Sequence, residues 1–376
     1  MVVGGGVMGV SIAFHLAEAG VRDVLVLDRA ALGSGSTCKA AGGVRAQFSD
    51  PLNVQLGARS LTAFEDFARR PGQQIDLHQV GYLFLLDDEE SAAAFEQAVA
   101  MQNELGVDSS MVTPARVAEL CPLVRTDDLV AAAWSPRDGH CAPESVVLGY
   151  ATAARALGTT LRTGVEVVGV DTSGGAVCAV QTSHGTVRTG TVVCAAGAWS
   201  AAVGDMVGVP LPVVPLRRQV LFTQPLPDLP SRLPMTIDFS TTFYFHGEGR
   251  GLLMGMSDPD EPPSFRVDTD DVWLPRLTDA MSRRAPALLD VGVTGGWAGL
   301  YEVTPDHNAI IGAAAQVPGF LYATGFSGHG FLQAPAVGEV VRDLVLGDEP
   351  FVDVSPLSVD RFDAAAGQAR PEANLV

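Results

Sequence analysis

Lysine is almost missing from this chain: against 23 arginines there is one lysine, Lys39. Chemistry that needs a side-chain amine can therefore come from one position only. Net positive charge is missing as well. The formal charge of −19 argues against nucleic acid and anionic membrane surfaces as partners. No apolar run reaches the roughly 18 residues of a membrane-spanning helix. The five cysteines (Cys38, Cys121, Cys141, Cys178 and Cys194) are odd in number and form no C-x-x-C. They read as reduced thiols of a cytoplasmic protein rather than a disulfide frame. No cluster of His, Cys and Asp has metal-ligand spacing, so no metal is expected. A hydrophobic fraction of 47% with 18% charged residues describes a soluble globular protein, and 376 residues suffice for two domains.

The most informative stretch is the first. Met1-Val2-Val3 leads into Gly4-Gly5-Gly6-Val7-Met8-Gly9, a G-x-G-x-x-G turn. Val10, Ile12, Ala13, Leu16 and Ala17 then recur at helical spacing, and Val24 to Leu27 reads as a second strand ending at Asp28. This is the β-turn-α-β pattern of a dinucleotide site. Gly4 makes the turn, Gly6 lets the backbone approach a pyrophosphate, and Gly9 lets the helix pack close to the strand. The helix N-terminus offers N–H groups and the positive end of its dipole to phosphate. Asp28 is placed to accept from ribose hydroxyls. The first strand is short, or its natural start lies upstream. With the turn inside nine residues, no room is left for a signal peptide.

Beyond Asp28, the small and hydroxylic run Gly33 to Arg45 suits a loop lying against a ligand. Helices follow over Leu52–Phe67, Glu89–Leu105 and Pro143–Leu157, with a buried strand Tyr82–Leu86 among them. Short strands lead to Val192-Val193-Cys194 and a second glycine turn at Gly197. Gln219–Phe222, Met235–Phe239, Thr242–Phe245 and Leu252–Met254 alternate like an antiparallel sheet. Gly247, Gly249 and Gly251 have hairpin composition, so the chain holds one complete G-x-G-x-x-G. One such turn implies a single bound cofactor, reoxidised by dioxygen or a protein carrier. The expected fold is α/β with two interleaved domains: a Rossmann-like part from 1–78, 141–212 and 298–363, and an antiparallel substrate part from 79–140 and 213–297. The small, polar residues 364–376 read as a frayed tail.

Five motifs fall in order along the chain: the opening glycine turn, Gly35-Ser36-Thr37 with Ala41-Gly42-Gly43-Val44-Arg45, Ala195-Ala196-Gly197-Ala198-Trp199-Ser200, Thr304-Pro305-Asp306, and Gly325-Phe326-Ser327-Gly328-His329-Gly330-Phe331. This set resembles the D-amino-acid oxidase superfamily, most closely its glycine oxidase and sarcosine oxidase branch. The resemblance implies an extended FAD in the Rossmann-like part, with the antiparallel sheet roofing a substrate over the flavin. It also implies oxidation of an amino-acid C–N bond by hydride transfer to flavin. The imine is then hydrolysed, and dioxygen reoxidises the flavin to give hydrogen peroxide. Carried over, Gly4, Gly6, Val7, Met8 and Gly9 hold the pyrophosphate, and Asp28 with Arg29 the ribose. Ser36, Thr37, Ala41, Gly42 and Gly43 line the phosphates, ribityl chain and flavin. Val167 or Val165 meets the adenine, and Ala196, Gly197 and Trp199 border the dinucleotide. Gly325, Gly328, His329, Gly330, Phe331 and Leu332 face the flavin's pyrimidine end, where a helix N-terminus favours the charge of reduced flavin.

Two departures from that family matter. The cysteine that anchors flavin in monomeric sarcosine oxidase has no counterpart before Tyr301, where Gly299-Leu300 stands, so FAD is expected to be non-covalent. The lysine those enzymes place over the flavin is matched by Leu253, and Lys39 lies far off in sequence. Oxidase activity must then be lysine-free, slow, or replaced by dehydrogenase activity. Arg45 is the first choice for a carboxylate clamp. Tyr244, Tyr301 and His329 complete the candidate catalytic set, while His246 reads as a solvated hairpin residue. A glycine-type or N-substituted (N-alkyl or N-carboxymethyl) amino acid is the expected substrate. The alternatives are an amine or 2-hydroxy-acid dehydrogenase using another acceptor, or the flavin subunit of a larger sarcosine oxidase.

Overall fold

Two valines suffice for the first strand because both of its edges and both of its faces are covered. In the computed structural model, which describes residues 1–363 and 371–374, Val2–Val3 lies inside a six-stranded sheet. It runs parallel between Val192–Cys194 and Leu25–Asp28. Thr160–Thr163 extends one side, and Phe320–Thr324 followed by antiparallel Ile310–Ala313 extends the other. Helix Val7–Glu18 is buried along nearly its whole length, wedged against helices Pro143–Ala156 and Gly330–Leu346. Gly9 permits its approach, since a Cβ there would collide with the Gly4 carbonyl oxygen. The opposite face is covered by three antiparallel strands, Val167–Ser173, Ala176–Thr182 and Gly185–Arg188, through Val170, Val177 and Val180.

The second sheet has eight strands. Their order is Val293–Val303, Val214–Thr223, Gly251–Met256, Phe243–Glu248, Met235–Asp238, Tyr82–Leu86, Ala131–Ser135, Ser110–Val112. Every pairing is antiparallel except Met235–Asp238 with Tyr82–Leu86. Side chains alternate between two cores. Leu83, Leu85, Phe243, Phe245, Leu252 and Met254 pack beneath helix Leu274–Arg284, while Tyr82, Phe84, Tyr244 and Leu253 face the other way. Burial on both faces explains the unbroken apolar run Tyr-Leu-Phe-Leu-Leu. The eleven-residue strand Val293–Val303 leads out of this sheet and into the first one.

Two expectations need correction here. His246 is buried, with 1% of its surface exposed. Its ring nitrogens lie 3.0 Å from the Ala41 carbonyl oxygen and 2.8 Å from that of Gly247, tying the roof strand to the loop before Gly42. The tail is not wholly frayed: Glu372 and Asn374 are buried. The Glu372 carboxylate accepts from the Ser49 and Asp50 amides and from the Asn53 side chain, next to the start of helix Pro51–Glu65. Residues 364–370, 375 and 376 of the expected tail lie outside the described residues. No helix among the described residues is long and apolar enough to cross a membrane, and no group of three or more His, Cys, Asp or Glu could hold a metal ion.

Candidate active site

A single cavity of about 470 Å³ runs from the opening glycine turn to the underside of the eight-stranded sheet. That volume lies within the roughly 300–1,000 Å³ of small-molecule and cofactor sites. At one end stand Gly4, Gly6, Val7, Met8, Asp28 and Arg29, with Val165 and Val167 opposite. Gly4 has φ +109°, and a Cβ on it would collide with the Ala195 carbonyl oxygen, so only glycine fits between the two strands. Helix Val7–Glu18 has no side-chain cap and no acid in its first turn, which leaves its positive end to the cavity. One of its amides is engaged: Val7 donates to the Thr37 hydroxyl at 3.1 Å, fixing the Ser36–Thr37 loop against the helix. Asp28 accepts from the Gly5 amide at 2.7 Å and from the Ala30 amide at 2.7 Å, which orients its carboxylate at the cavity edge. Arg29 lies 4.4 Å over the Trp199 ring, and exposed Phe265 stacks on the same ring at 5.6 Å.

Ala41, Gly42, Gly43, Ala196, Gly197 and Trp199 line the middle of the cavity. Gly328, His329, Gly330, Phe331 and Leu332 line it at the start of helix Gly330–Leu346. This helix also begins without a side-chain cap. Gly328 has φ +100°, and a Cβ on it would lie 2.6 Å from the Tyr301 ring. Two expected cofactor residues do not reach the cavity. Gly9 is a packing glycine, and Gly325 is a turn whose amide donates to Glu302 at 3.2 Å.

Arg45, Tyr244, Tyr301 and His329 all stand on the wall. Burial raises both tyrosine hydroxyls and pushes His329 well below its ordinary value, so all three are neutral donors or acceptors near neutral pH. Arg45 is already engaged. It donates to the carbonyl oxygens of Gln47 and Asn374, the latter at 2.7 Å, and stacks 4.2 Å over Phe48.

Several wall residues escaped the sequence reading. Tyr82, Met235 and Ile237 were legible only as core strand positions. Arg218 precedes the expected strand Gln219–Phe222 and belongs to none of the motifs. Lys39, set aside for its distance along the chain, lines the cavity, with its Cβ packed where a Gly299 side chain would be. Glu302 sits between Thr324 and Gly325, and burial raises its carboxyl to about 7.

The residues fit FAD: a glycine cradle with no room for Cβ atoms, two uncapped helix starts, and a long cavity between them. The family model described as FAD dependent oxidoreductase matches residues 1–344. The chain belongs to that family of FAD-dependent oxidoreductases. It is 30% identical to mitochondrial dimethylglycine dehydrogenase of Rattus norvegicus, over 96% of this chain and 44% of that one. The chain thus spans less than half the length of that relative. Among solved structures, L-proline dehydrogenase of P. horikoshii matches with TM-score 0.91 and 32% identity, over 98% of both chains. Glycine oxidase of Geobacillus kaustophilus matches with TM-score 0.85 and 26% identity, over 96% of this chain and 97% of that one.

Proposed function

We propose that this flavoprotein oxidises the C–N bond of a glycine-type or N-substituted amino acid. The observation that carries the reading is the continuity of one cavity from the dinucleotide turn to a roof bearing Arg218, Tyr244 and Tyr301. Bound FAD would supply a two-electron acceptor for hydride from the carbon beside nitrogen. Gly4 to Met8, Asp28, Thr37 and Gly197 would hold its dinucleotide, and Gly328 to Gly330 would border its flavin. FAD would be held without a covalent bond, since Gly299-Leu300 offers no thiol. The tyrosine hydroxyls stay protonated and orient the substrate. Val220, Met235, Ile237 and Leu332 give the apolar wall that excludes water and accommodates an N-alkyl arm. A secondary amine bound neutral can lose hydride directly, so the reaction requires no acid–base dyad.

The test is anaerobic addition of sarcosine, N,N-dimethylglycine, proline and glycine to the FAD-loaded protein, which should bleach the flavin absorbance. Bleaching by a 2-hydroxy acid alone would sink the reading. The dimethylglycine and proline dehydrogenase relatives favour a second reading, in which electrons pass to an acceptor other than dioxygen. Peroxide formed at the rate of turnover in air supports the oxidase; its absence, with a dye acceptor still reduced, supports the dehydrogenase. Gel filtration with an activity assay tests whether the chain acts alone or as one flavin-bearing part of a larger enzyme. All five cysteines are free, which supports a reducing compartment such as the cytoplasm.

A further inference from the structure

We infer that Arg218, rather than Arg45, binds the substrate carboxylate. The inference rests on the amino-acid reading above and names the group that enforces it. Arg218 lies on Val214–Thr223 directly opposite Gly299 of Val293–Val303. Cross-strand partners share a face, and alternation puts Tyr301 on that face too. Its guanidinium carbon is accordingly 5.3 Å from the Tyr301 ring centre, and the residue lines the cavity.

The guanidinium lacks a counter-ion. Nη1 donates to the Arg217 carbonyl oxygen at 3.0 Å, whereas buried Nε has no hydrogen-bond partner. Among the described residues no carboxylate lies within 4.0 Å of it; those of Glu261 and Asp258 act on it only from farther off, and burial lowers its affinity for a proton. The adjacent arginine shows what the same strand does with a structural cation. Arg217 donates to both oxygens of Glu261 at 3.0 and 2.8 Å and to Asp270 at 2.6 Å. A part-buried guanidinium whose Nε is shut off from water without a partner is unfavourable unless an anion completes it. The cavity is the side from which that anion can come, and a carboxylate matches the guanidinium fork.

Arg45 does not have this deficit. Two backbone carbonyls take both of its terminal nitrogens, and the Phe48 ring holds it from one face. The phosphates of FAD are an unsuitable partner for Arg218. The glycine turn marks their end of the cavity, and Arg218 stands with the roof tyrosines.

The experiment uses FAD-loaded wild type, Arg218→Met, Arg218→Lys and Arg45→Lys. Methoxyacetate, a carboxylate with no amine to oxidise, is titrated while the flavin absorbance is followed. KM is measured for N,N-dimethylglycine and for N,N-dimethylethanolamine, which carries a hydroxymethyl group in place of the carboxylate. Arg218→Met should weaken methoxyacetate about a hundredfold and raise the dimethylglycine KM similarly, collapsing the preference over the alcohol. Arg218→Lys should recover about tenfold of that loss, because a point charge replaces the fork. Three results would overturn the inference: methoxyacetate affinity kept within about threefold in Arg218→Met; the preference kept there but lost in Arg45→Lys; or loss of FAD itself from Arg218→Met. A wild type with no preference for the carboxylate would sink the amino-acid reading, and this inference with it.

Discussion

Replacing Glu302 by glutamine keeps the side-chain shape and an oxygen to accept from the Thr324 hydroxyl (3.0 Å) and the Gly325 amide (3.2 Å), while removing the ionisable proton. Burial is the largest influence on this carboxyl. It lifts the group from 4.5 to about 7 against the opposing effect of those hydrogen bonds. The folded chain therefore keeps a proton that the unfolded chain releases. The stability this proton provides is fully present below the unfolded value of 4.5 and is lost as pH rises through 7. At about 1.36 kcal/mol per pH unit, ionisation penalises wild type by about 1 kcal/mol near pH 5.5 and about 3 kcal/mol near pH 8.5. Glutamine carries no such penalty. The stability advantage of Glu302→Gln should therefore grow by about 2 kcal/mol across that range. Urea unfolding of the FAD-loaded proteins at matched excess FAD, followed by tryptophan fluorescence, measures it. A difference that does not change with pH would refute the reasoning, because the carboxyl would then ionise like an ordinary glutamate.

Gly9→Ala should yield protein that has lost its FAD and at least about 2 kcal/mol of stability, since the new methyl meets the Gly4 carbonyl; the ratio of flavin to protein absorbance reads the first effect and urea unfolding the second. Acid precipitation of the yellow protein should leave the flavin in the supernatant, and colour kept in the pellet would reveal a covalent bond. Arg284→Met should destabilise by about 3–5 kcal/mol, measured by urea unfolding. That arginine is fully buried and pairs with equally buried Asp238 at 3.0 Å and with Asp128 at 2.6 Å, so the change strands a carboxylate in the roof sheet's core.

Local pattern made the scaffold readable. The glycine turn, the helix after it and the strand ending at Asp28 are announced by residue patterns within thirty positions of one another. Alternation in Phe243–Glu248 and Gly251–Met256 likewise announces a sheet with two covered faces. The same locality hid what depends on distant contacts. Nothing in a small, polar segment shows that Glu372 will meet the Ser49 and Asp50 amides. A histidine beside Gly247 reads as a hairpin residue until the Ala41 carbonyl is seen against its ring. Lys39 is separated from Gly299 by 260 positions and is packed against it.

The two candidate clamps show the limit most plainly. Arg45 was favoured because it falls inside a recognisable motif, yet motif membership says only that a position is occupied, not which donors remain free. Arg217 and Arg218 are adjacent and chemically identical in the sequence, and strand alternation sends them to opposite faces. One meets Glu261 and Asp270, and the other meets the cavity. A net charge of −19 likewise gives no hint that Arg45, Arg218 and Lys39 line one cavity, because net charge sums over the surface while recognition depends on which cations lack partners. Of the three, Arg45 already has both terminal nitrogens on backbone carbonyls, and Lys39 sits on a flexible stem. Arg218 alone combines a fixed fork with a buried, unpaired donor, which is why substrate preference should follow that residue.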